Sequence, residues 1–255
     1  MSQSILLLRL EGPIQSWGTR SCWDVRDTGL EPTKSGVIGL LGCAIGLPRK
    51  DRMLEELDRL LLFGVRVDRP GIIVSDYHTV TGYHRTAEGG FKHSGGTAKS
   101  LEKAMEHGEY TVVSPRDYLH DAAFLVALSV KAEHRASNPG LLERLAERLQ
   151  KPKWPLYLGR KACVPTRPVF DRLTEDYAGI EDALRRAEWA APRSPRERDM
   201  LRKNGKGPIL TAWIEDSEGE YERQDAMRIN QFRFYDFRRC RRIEIDTNEL
   251  PWRIL

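Results

Sequence analysis

The chain has 255 residues, with 41 Lys and Arg against 37 Asp and Glu, which gives a formal net charge of +4 and a pI of about 8.9. Hydrophobic residues make up 40% of the chain and the mean hydropathy is -0.52, so the composition predicts a soluble protein with a core and excludes a membrane-embedded one. The charge favours polyanionic partners only mildly, because a dedicated nucleic-acid-binding domain typically has a pI above about 9.

The sequence predicts a cytoplasmic protein that does not contact a membrane. Residues 5–10 are apolar, but they lack the basic region and the small-residue cleavage site of a signal peptide. The longest uncharged apolar stretch, residues 36–48, is shorter than the ~20 residues that cross a bilayer. No C-x-x-C pair occurs, which predicts reduced thiols rather than zinc ligands or disulfides for the cysteines at 22, 43, 163 and 240.

The first 70 residues predict a strand, two helices and a second strand. Ser4–Leu10 is a nearly continuous apolar run, which is typical of a buried strand. The segment PTKSG starts a helix, with Thr33 or Ser35 as its N-cap. An amphipathic helix follows over Met53–Leu61, and residues 63–67 alternate like a strand.

The middle of the chain repeats this pattern after a long interruption. Residues 121–131 contain FLVALSV, which predicts a central strand, and residues 138–150 predict a helix. The resulting βαβ…βα skeleton predicts an α+β fold of the ferredoxin-like or RRM-like class. Residues 79–115 exceed the ~4–6 residues of an ordinary connection, so we expect a projecting, hairpin-like insertion with a short helix over 98–107.

The composition becomes basic and rich in proline from Lys151 onward, and we expect two parts. The first is a domain over residues 1–175 that carries the insertion, and the second is a β-rich region over 176–255. In the second part, a basic cluster at 238–242 lies beside four aromatic residues within 232–237. Core is the safer assignment for these aromatics and for Trp213 and Trp252, and a partner interface is the alternative.

The start of the first helix is a candidate anion site. Its backbone N–H groups are free, the helix dipole is positive there, and Lys34 adds a charge. Gly36 lets a phosphate approach the backbone. An ordinary capped helix with a solvated lysine explains the same residues and is the more frequent case.

Two other segments combine aromatic and basic residues. In WPLYLGRK, a glycine turn precedes Arg160 and Lys161, which suits phosphate contact or an ordinary β-turn with solvated charges. The insertion interleaves aromatics with cations, a mixture that suits unstacked RNA or docking onto a protein. The residues concerned are Tyr83, His84, Arg85, Phe91, Lys92 and His93.

Motifs for metal binding and hydrolysis are absent from the sequence. It has no H-x-x-x-H, H-E-x-x-H or G-x-S-x-G spacing, so we expect no metal and no cofactor. His84 with Tyr83 and Lys92 could cleave RNA by activating a 2′-hydroxyl, but the sequence does not fix their mutual geometry.

Three blocks of sequence together resemble one known family. They are LLLRLEGPIQSWG with EPTKSGVIGLLGCAIGLPR, then DYHTVTG with RDYLHDAAFLVAL, and finally KPKWPLYLGRKACVPTRPVF. Their order and content resemble the CasD family, the "Cas-five" subunit of the subtype I-E CRISPR Cascade complex, which belongs to the RAMP superfamily. The blocks reach from Leu6 to Phe170, about two-thirds of the chain.

The resemblance implies an RRM-like domain with a thumb, in a non-catalytic subunit of an antiviral ribonucleoprotein. Such a subunit binds the 5′ handle of the guide RNA (crRNA) and caps one end of the complex. Its implied partners are the backbone-forming subunit, the large subunit and, through the complex, target DNA. In a related subtype the corresponding protein is a metal-independent endoribonuclease that processes the guide precursor, and this activity is the alternative.

Four groups of RNA-contacting residues follow from the resemblance. The first loop, residues 11–31, would contribute Gln15, Trp17 and Arg20, and the helix start Lys34, Ser35 and Gly36. The thumb would contribute Tyr83, His84 and Arg85, and the glycine turn Gly159, Arg160 and Lys161. The aromatic run of RRM domains is missing, so we expect loops and thumb, rather than an open sheet, to hold the RNA.

Overall fold

The structure is a computed structural model that describes residues 3–19, 26–189, 199–200, 207–229 and 233–251. Strands and helices alternate through most of these ranges. In chain order they are β1 (Ile5–Glu11), β2 (Ile14–Gln15), α1 (Lys34–Ile45), α2 (Arg52–Leu60), β3 (Leu61–Arg69), β4 (Ile72–Gly82), β5 (Phe91–His93), β6 (Gly96–Ala98), α3 (Leu101–Met105), β7 (Tyr110–His120), β8 (Ala123–Val130), α4 (Leu141–Gln150), β9 (Phe170–Thr174), α5 (Ile180–Arg186), β10 (Ile209–Glu215), β11 (Tyr221–Ile229) and β12 (Arg233–Asp246).

One antiparallel sheet of seven strands organises the described chain. Its order is β11-β12-β10-β3-β8-β1-β9, so the architecture is α+β with antiparallel sheets. The predicted strands β1, β3 and β8 and the predicted helices α1, α2 and α4 are confirmed. The C-terminal strands extend the same sheet, because β10 pairs with β3. The boundary at residue 175 stays a prediction.

Helices cover the sheet on both faces. Along β1, Leu6, Leu8 and Leu10 pack into the cluster that contains side chains of α1, α2 and α4. The alternate residues Ile5 and Leu7 pack into a second cluster with side chains of α5. Burial on both faces explains why β1 reads as an unbroken apolar run. Neither face of the sheet is therefore open to a ligand at β1.

The insertion is a long two-stranded arm. β4 and β7 pair antiparallel along their full length, from Ile72 opposite His120 to Gly82 opposite Tyr110. Ten residue steps at about 3.3 Å give an arm of roughly 33 Å. Its tip carries β5, β6 and the short helix α3, which was expected within 98–107. The pairing begins at residue 72, seven residues before the start that the sequence predicts. The sequence missed these residues because β4 is exposed nearly throughout and has no buried face to mark it as a strand.

The N-terminal half of α1 packs closely against the first loop. Thr33 is the N-cap, and its hydroxyl accepts a hydrogen bond from the Gly36 amide at 3.2 Å. A Cβ on Gly36 would lie 2.9 Å from the ring of Trp17, and one on Gly42 would lie 2.4 Å from Leu54 of α2. Glycine at positions 36 and 42 therefore leaves room for the Trp17 indole and the Leu54 side chain.

The aromatic residues of β12 were assigned to the core, and that assignment is wrong for two of them. Phe234 is 47% exposed and Phe237 is 61% exposed. Trp213 of β10 packs against the main core as a partly buried residue. Phe232 and Trp252 lie outside the described residues. Within the described ranges, no helix is both long and apolar enough to cross a membrane.

Candidate nucleic-acid interface

We call the arm of β4 and β7 the thumb, and its end at Ile72 and His120 the root of the thumb. Three of the four predicted contact groups lie together at this root. The Ser16 amide of the first loop donates a hydrogen bond to the Leu158 carbonyl at 2.9 Å. Trp17 lies against the start of α1 through Gly36. The fourth group, residues 83–85, follows the outer end of β4 and is therefore separated from the others by the length of the arm.

The side chains of Gln15 and Trp17, two of the predicted first-loop contacts, form hydrogen bonds inside the protein. The Gln15 amide donates to the Ala122 carbonyl at 2.9 Å and accepts from the indole N–H of Trp17 at 2.9 Å. Both side chains are buried, with exposures of 0% and 1%. They hold the loop in place, and their contact with RNA stays a prediction that would require them to leave these partners. Arg20 lies outside the described residues.

The start of α1 is already occupied by groups of the protein. The Lys34 amide donates to Oδ2 of Asp225 on β11 at 2.7 Å. The Lys34 ammonium is buried, 2.8 Å from a Glu215 carboxylate oxygen and 2.7 Å from the Asp58 carbonyl. Desolvation lowers the pKa of Lys34. Ser35 is half-buried, and its hydroxyl lies 3.4 Å from that of Thr33.

The Asp225 carboxylate therefore occupies the position at this helix start where an anion would bind. The sequence indicated free N–H groups and a solvated lysine, but the partner of the Lys34 amide lies 191 residues away. A local motif carries no signal for such a partner. That Lys34, Ser35 and Gly36 touch RNA stays a prediction, and the geometry favours a structural part for the Lys34 side chain.

The glycine turn is confirmed as a turn that needs glycine. Gly159 has a φ of +102°, in the left-handed region, and a Cβ there would lie 1.8 Å from the Ser16 carbonyl oxygen. Arg160 follows and donates to the backbone carbonyls of Asp117, Arg26 and Asp27 at 2.9, 2.8 and 3.2 Å. Its guanidinium thus fastens the first loop to the thumb.

Other cations are displayed around this fastening. Lys161 is exposed directly after Arg160, and Arg26 is exposed in the first loop. Arg26 pairs with Arg116 of β7 through an isolated parallel bridge. We call Arg26, Arg116, Arg160 and Lys161 the thumb-root surface. The sequence analysis did not select Arg26 or Arg116 as candidate contacts, although Arg116 begins the block RDYLH.

The tip of the thumb pairs aromatic rings with cations. Arg85 lies over the Phe91 ring at 5.4 Å, and Lys92 lies over the Tyr110 ring at 5.1 Å. The Tyr83 hydroxyl donates to the His107 carbonyl at 3.2 Å. His84 Nε2 lies 3.1 Å from the Val80 carbonyl oxygen.

The hypothetical catalytic set of Tyr83, His84 and Lys92 is therefore only partly assembled. The His84 ring meets the Tyr110 ring edge-on at 6.4 Å between centroids, so Tyr110 contacts both His84 and Lys92. In the described structure, however, no side-chain hydrogen bond joins any two members of the set.

Comparison with known proteins identifies the family. The family model described as "CRISPR-associated protein (Cas_Cas5)" matches residues 5–242. The chain belongs to this Cas5 family. The Cas5-family chain is also 36% identical to the "CRISPR system Cascade subunit CasD" of Escherichia coli (strain K12) over 177 residues, which cover 66% of the chain and 70% of that relative.

Solved structures agree with this membership. A chain of a "CRISPR RNA-guided surveillance complex" is similar with a TM-score of 0.69 and 28% identity, over 96% of the Cas5-family chain and 92% of that chain. A structure titled "Crystal structure of Cas protein" is similar with a TM-score of 0.64 and 31% identity, over 97% of each chain. The resemblance to CasD inferred from residues 6–170 is confirmed, and the structural similarity extends well past that region.

Proposed function

We propose that this protein is a non-catalytic subunit of a type I-E Cascade surveillance complex, binds the 5′ handle of the crRNA and caps one end of the backbone of the complex. Its role would be antiviral defence. Family membership and the similarity to a Cascade subunit support a place in such a complex. The thumb-root surface is the structural observation that carries the RNA-binding part of the proposal.

The thumb-root surface suits an RNA backbone because it joins fixed geometry to exposed charge. Arg160 donates hydrogen bonds to three backbone carbonyls, and its guanidinium stacks over the Tyr118 ring at 4.7 Å. These contacts hold the first loop and the thumb together. Lys161 and Arg26 remain exposed beside Arg160. Cations that are held in place by the backbone bind phosphates without first having to be ordered.

The strand order supports the finer fold assignment in the proposal. The elements β1, α1 with α2, β3, β8, α4 and β9 follow one another as βαββαβ, and their strands lie in the order β9-β1-β8-β3. This is the arrangement of the ferredoxin-like, RAMP-type domain that the resemblance implies. Because α5 covers the face that an RRM leaves open, the RNA would bind outside that face, on the loops and the thumb first of all.

Exposed apolar residues on the thumb support the proposed contacts with other subunits. Ile72 is 71% exposed and Tyr77 is 69% exposed, on opposite faces of β4. Several exposed apolar residues on one narrow arm are a typical sign of a protein interface. We assign the arm to contact with the backbone-forming subunit and the body to contact with the large subunit, with target DNA reached through the complex.

Substitution of the thumb-root cations tests the RNA-binding proposal. We expect Lys161→Ala and Arg116→Ala each to weaken binding of single-stranded handle RNA. Each should also lower the slope of log affinity against log salt by up to about 0.7, the value for one phosphate contact on a single strand. Fluorescence anisotropy of labelled RNA over a salt series measures both quantities.

Arg144→Ala is the matched control for these variants. Arg144 is exposed on α4, donates to the Pro139 carbonyl at 3.0 Å and belongs to neither the first loop nor the thumb. Its removal should leave the slope unchanged. Wild-type protein that binds RNA while both thumb-root variants keep its affinity and slope would contradict the proposed surface.

The alternative function, a metal-independent endoribonuclease, has one observation in its favour. His84 and Lys92 both contact the ring of Tyr110, so an imidazole and an ammonium lie close together at the thumb tip. Imidazole and ammonium groups are suitable for general acid–base cleavage of RNA. Incubation of the purified chain with labelled repeat RNA in EDTA separates this activity from binding, because only the nuclease leaves cleaved RNA on a denaturing gel.

A further inference from the structure

We propose that a groove on the C-terminal half of the sheet is a second RNA contact, where one base stacks on Phe237 and the adjoining phosphodiester lies on a basic cavity. The proposal rests on the proposed RNA-binding function and adds a site to it. We call the groove, centred on Phe237 and Arg238, the C-terminal groove. It consists of two neighbouring cavities of about 580 and 370 Å³, and these two residues line both.

The larger cavity has the charge that a phosphodiester needs. Seven cations and four carboxylates line it, which leaves a formal excess of three positive charges. Arg135 and Arg239 are exposed there and donate to the backbone carbonyls of Val130 and Ser217, at 3.1 and 3.4 Å. Among the described residues, neither guanidinium forms an ion pair, so both charges are available to a ligand.

Arg238 connects the two cavities and retains one donor. Its side chain is 8% exposed, and it binds the Asp225 carboxylate through Nε and Nη2 at 2.9 and 3.0 Å. Nη1 has no hydrogen-bond partner among the described residues. A buried guanidinium donor without an acceptor is costly, so an acceptor brought by a ligand would stabilise it.

The smaller cavity has the features that receive a base. Phe63, Trp213 and Phe237 line it, and Phe237 is 61% exposed although it lies at the junction of two concave surfaces. Carboxylates of Glu31 and Glu222 also line it, and they can accept hydrogen bonds from the amino groups of a base. Two arginines and four carboxylates line this cavity, so the positive excess lies in the larger cavity next to it. An exposed aromatic ring beside a basic cavity is the arrangement by which proteins hold single-stranded nucleic acid.

The groove adjoins the surface that carries the proposed function. Asp27 lines the smaller cavity, and its carbonyl accepts a hydrogen bond from Arg160 of the thumb-root surface at 3.2 Å. Thr33 and Lys34, at the start of α1, line the smaller and the larger cavity respectively. One RNA strand bound at the thumb root therefore reaches the groove beside Asp27, without occupying the helix start.

The test measures binding of a labelled single-stranded handle RNA to the full chain over a salt series. We expect Phe237→Ala to weaken binding about five- to 150-fold, the range for one stacked base. The matched control is Phe234→Ala, because Phe234 is exposed on the same strand but lines neither cavity. The double variant Arg135→Ala/Arg239→Ala should lower the salt slope by up to about 1.4, or about 0.7 for each contact.

The control for the double variant is Arg144→Ala/Arg148→Ala, which removes two exposed arginines from α4. Wild-type affinity and slope in the groove variants, with weakened binding in the Lys161→Ala variant, would overturn the groove proposal alone. Absence of RNA binding by the wild-type chain would overturn the proposed function and the groove with it. Loss of assembly with the other subunits at unchanged RNA affinity would show a protein-docking surface and overturn the proposal.

Discussion

Lys34 and Arg160 show how a basic residue in a promising motif can serve the fold instead of a ligand. Lys34 is buried against Glu215 and the Asp58 carbonyl, and Arg160 binds three backbone carbonyls. Lys161, next to Arg160, is exposed. The sequence identified all three as cations near a turn or a helix start. It could not separate them, because their partners lie on other elements.

The buried state of Lys34 gives a stability prediction. We expect Lys34→Met to lower the free energy of unfolding by about 3 kcal/mol, the lower end for a broken buried ion pair, because Asp58 loses its buried counter-charge while Glu215 keeps Lys131. The double variant Lys34→Met/Glu215→Gln should lose less than the sum of the two single variants. Urea unfolding measures each value.

Lys161→Met is the control, since an exposed lysine changes stability by only about 0.5 kcal/mol or less. A Lys34→Met protein with wild-type stability and reduced RNA affinity would contradict this account. It would place the Lys34 side chain at the RNA, as the resemblance implied.

At the scale of elements, the sequence identified those that have a buried face. β1 and β8 are apolar because both of their faces are covered, and α2 and α4 show leucines at helical spacing. The sequence did not locate the full length of the thumb strands β4 and β7. Exposure on both faces of β4 removes the apolar alternation that marks a strand. The unusual length of the connection located the insertion but not its root.

The glycine turn gives a prediction that links fold to binding. We expect Gly159→Ala to destabilise the protein by more than about 1 kcal/mol, because φ is +102° and the added Cβ meets the Ser16 carbonyl. RNA affinity should fall as well, since the displaced turn carries Lys161. Thermal or urea unfolding and the anisotropy assay measure the two effects.

Gly39→Ala is the matched glycine control. A Cβ at Gly39, in the middle of α1, meets no atom within 4 Å. The substitution should stabilise the helix by up to about 1 kcal/mol and leave RNA binding unchanged. If Gly159→Ala behaved like Gly39→Ala in both assays, the turn would have no part in positioning the RNA contacts.

At the scale of the whole molecule, the C-terminal strands complete the neighbourhood of the helix start. β10 contributes Glu215 and β11 contributes Asp225, and both carboxylates bind groups of Lys34. The sequence indicated strands in this region but not their place in the sheet, because that place depends on the long-range pairing of β10 with β3. Phe237 was likewise assigned to the core because the exposure of its strand could not be read from the sequence.

We propose that this chain binds the crRNA handle and does not cut RNA. The most direct test incubates the purified chain with labelled repeat RNA in EDTA and examines the RNA on denaturing and native gels. Our account predicts intact RNA on the denaturing gel and a retarded band on the native gel, which Lys161→Ala weakens. A single specific cut that disappears in a His84→Ala variant would contradict it and identify the protein as the processing endoribonuclease.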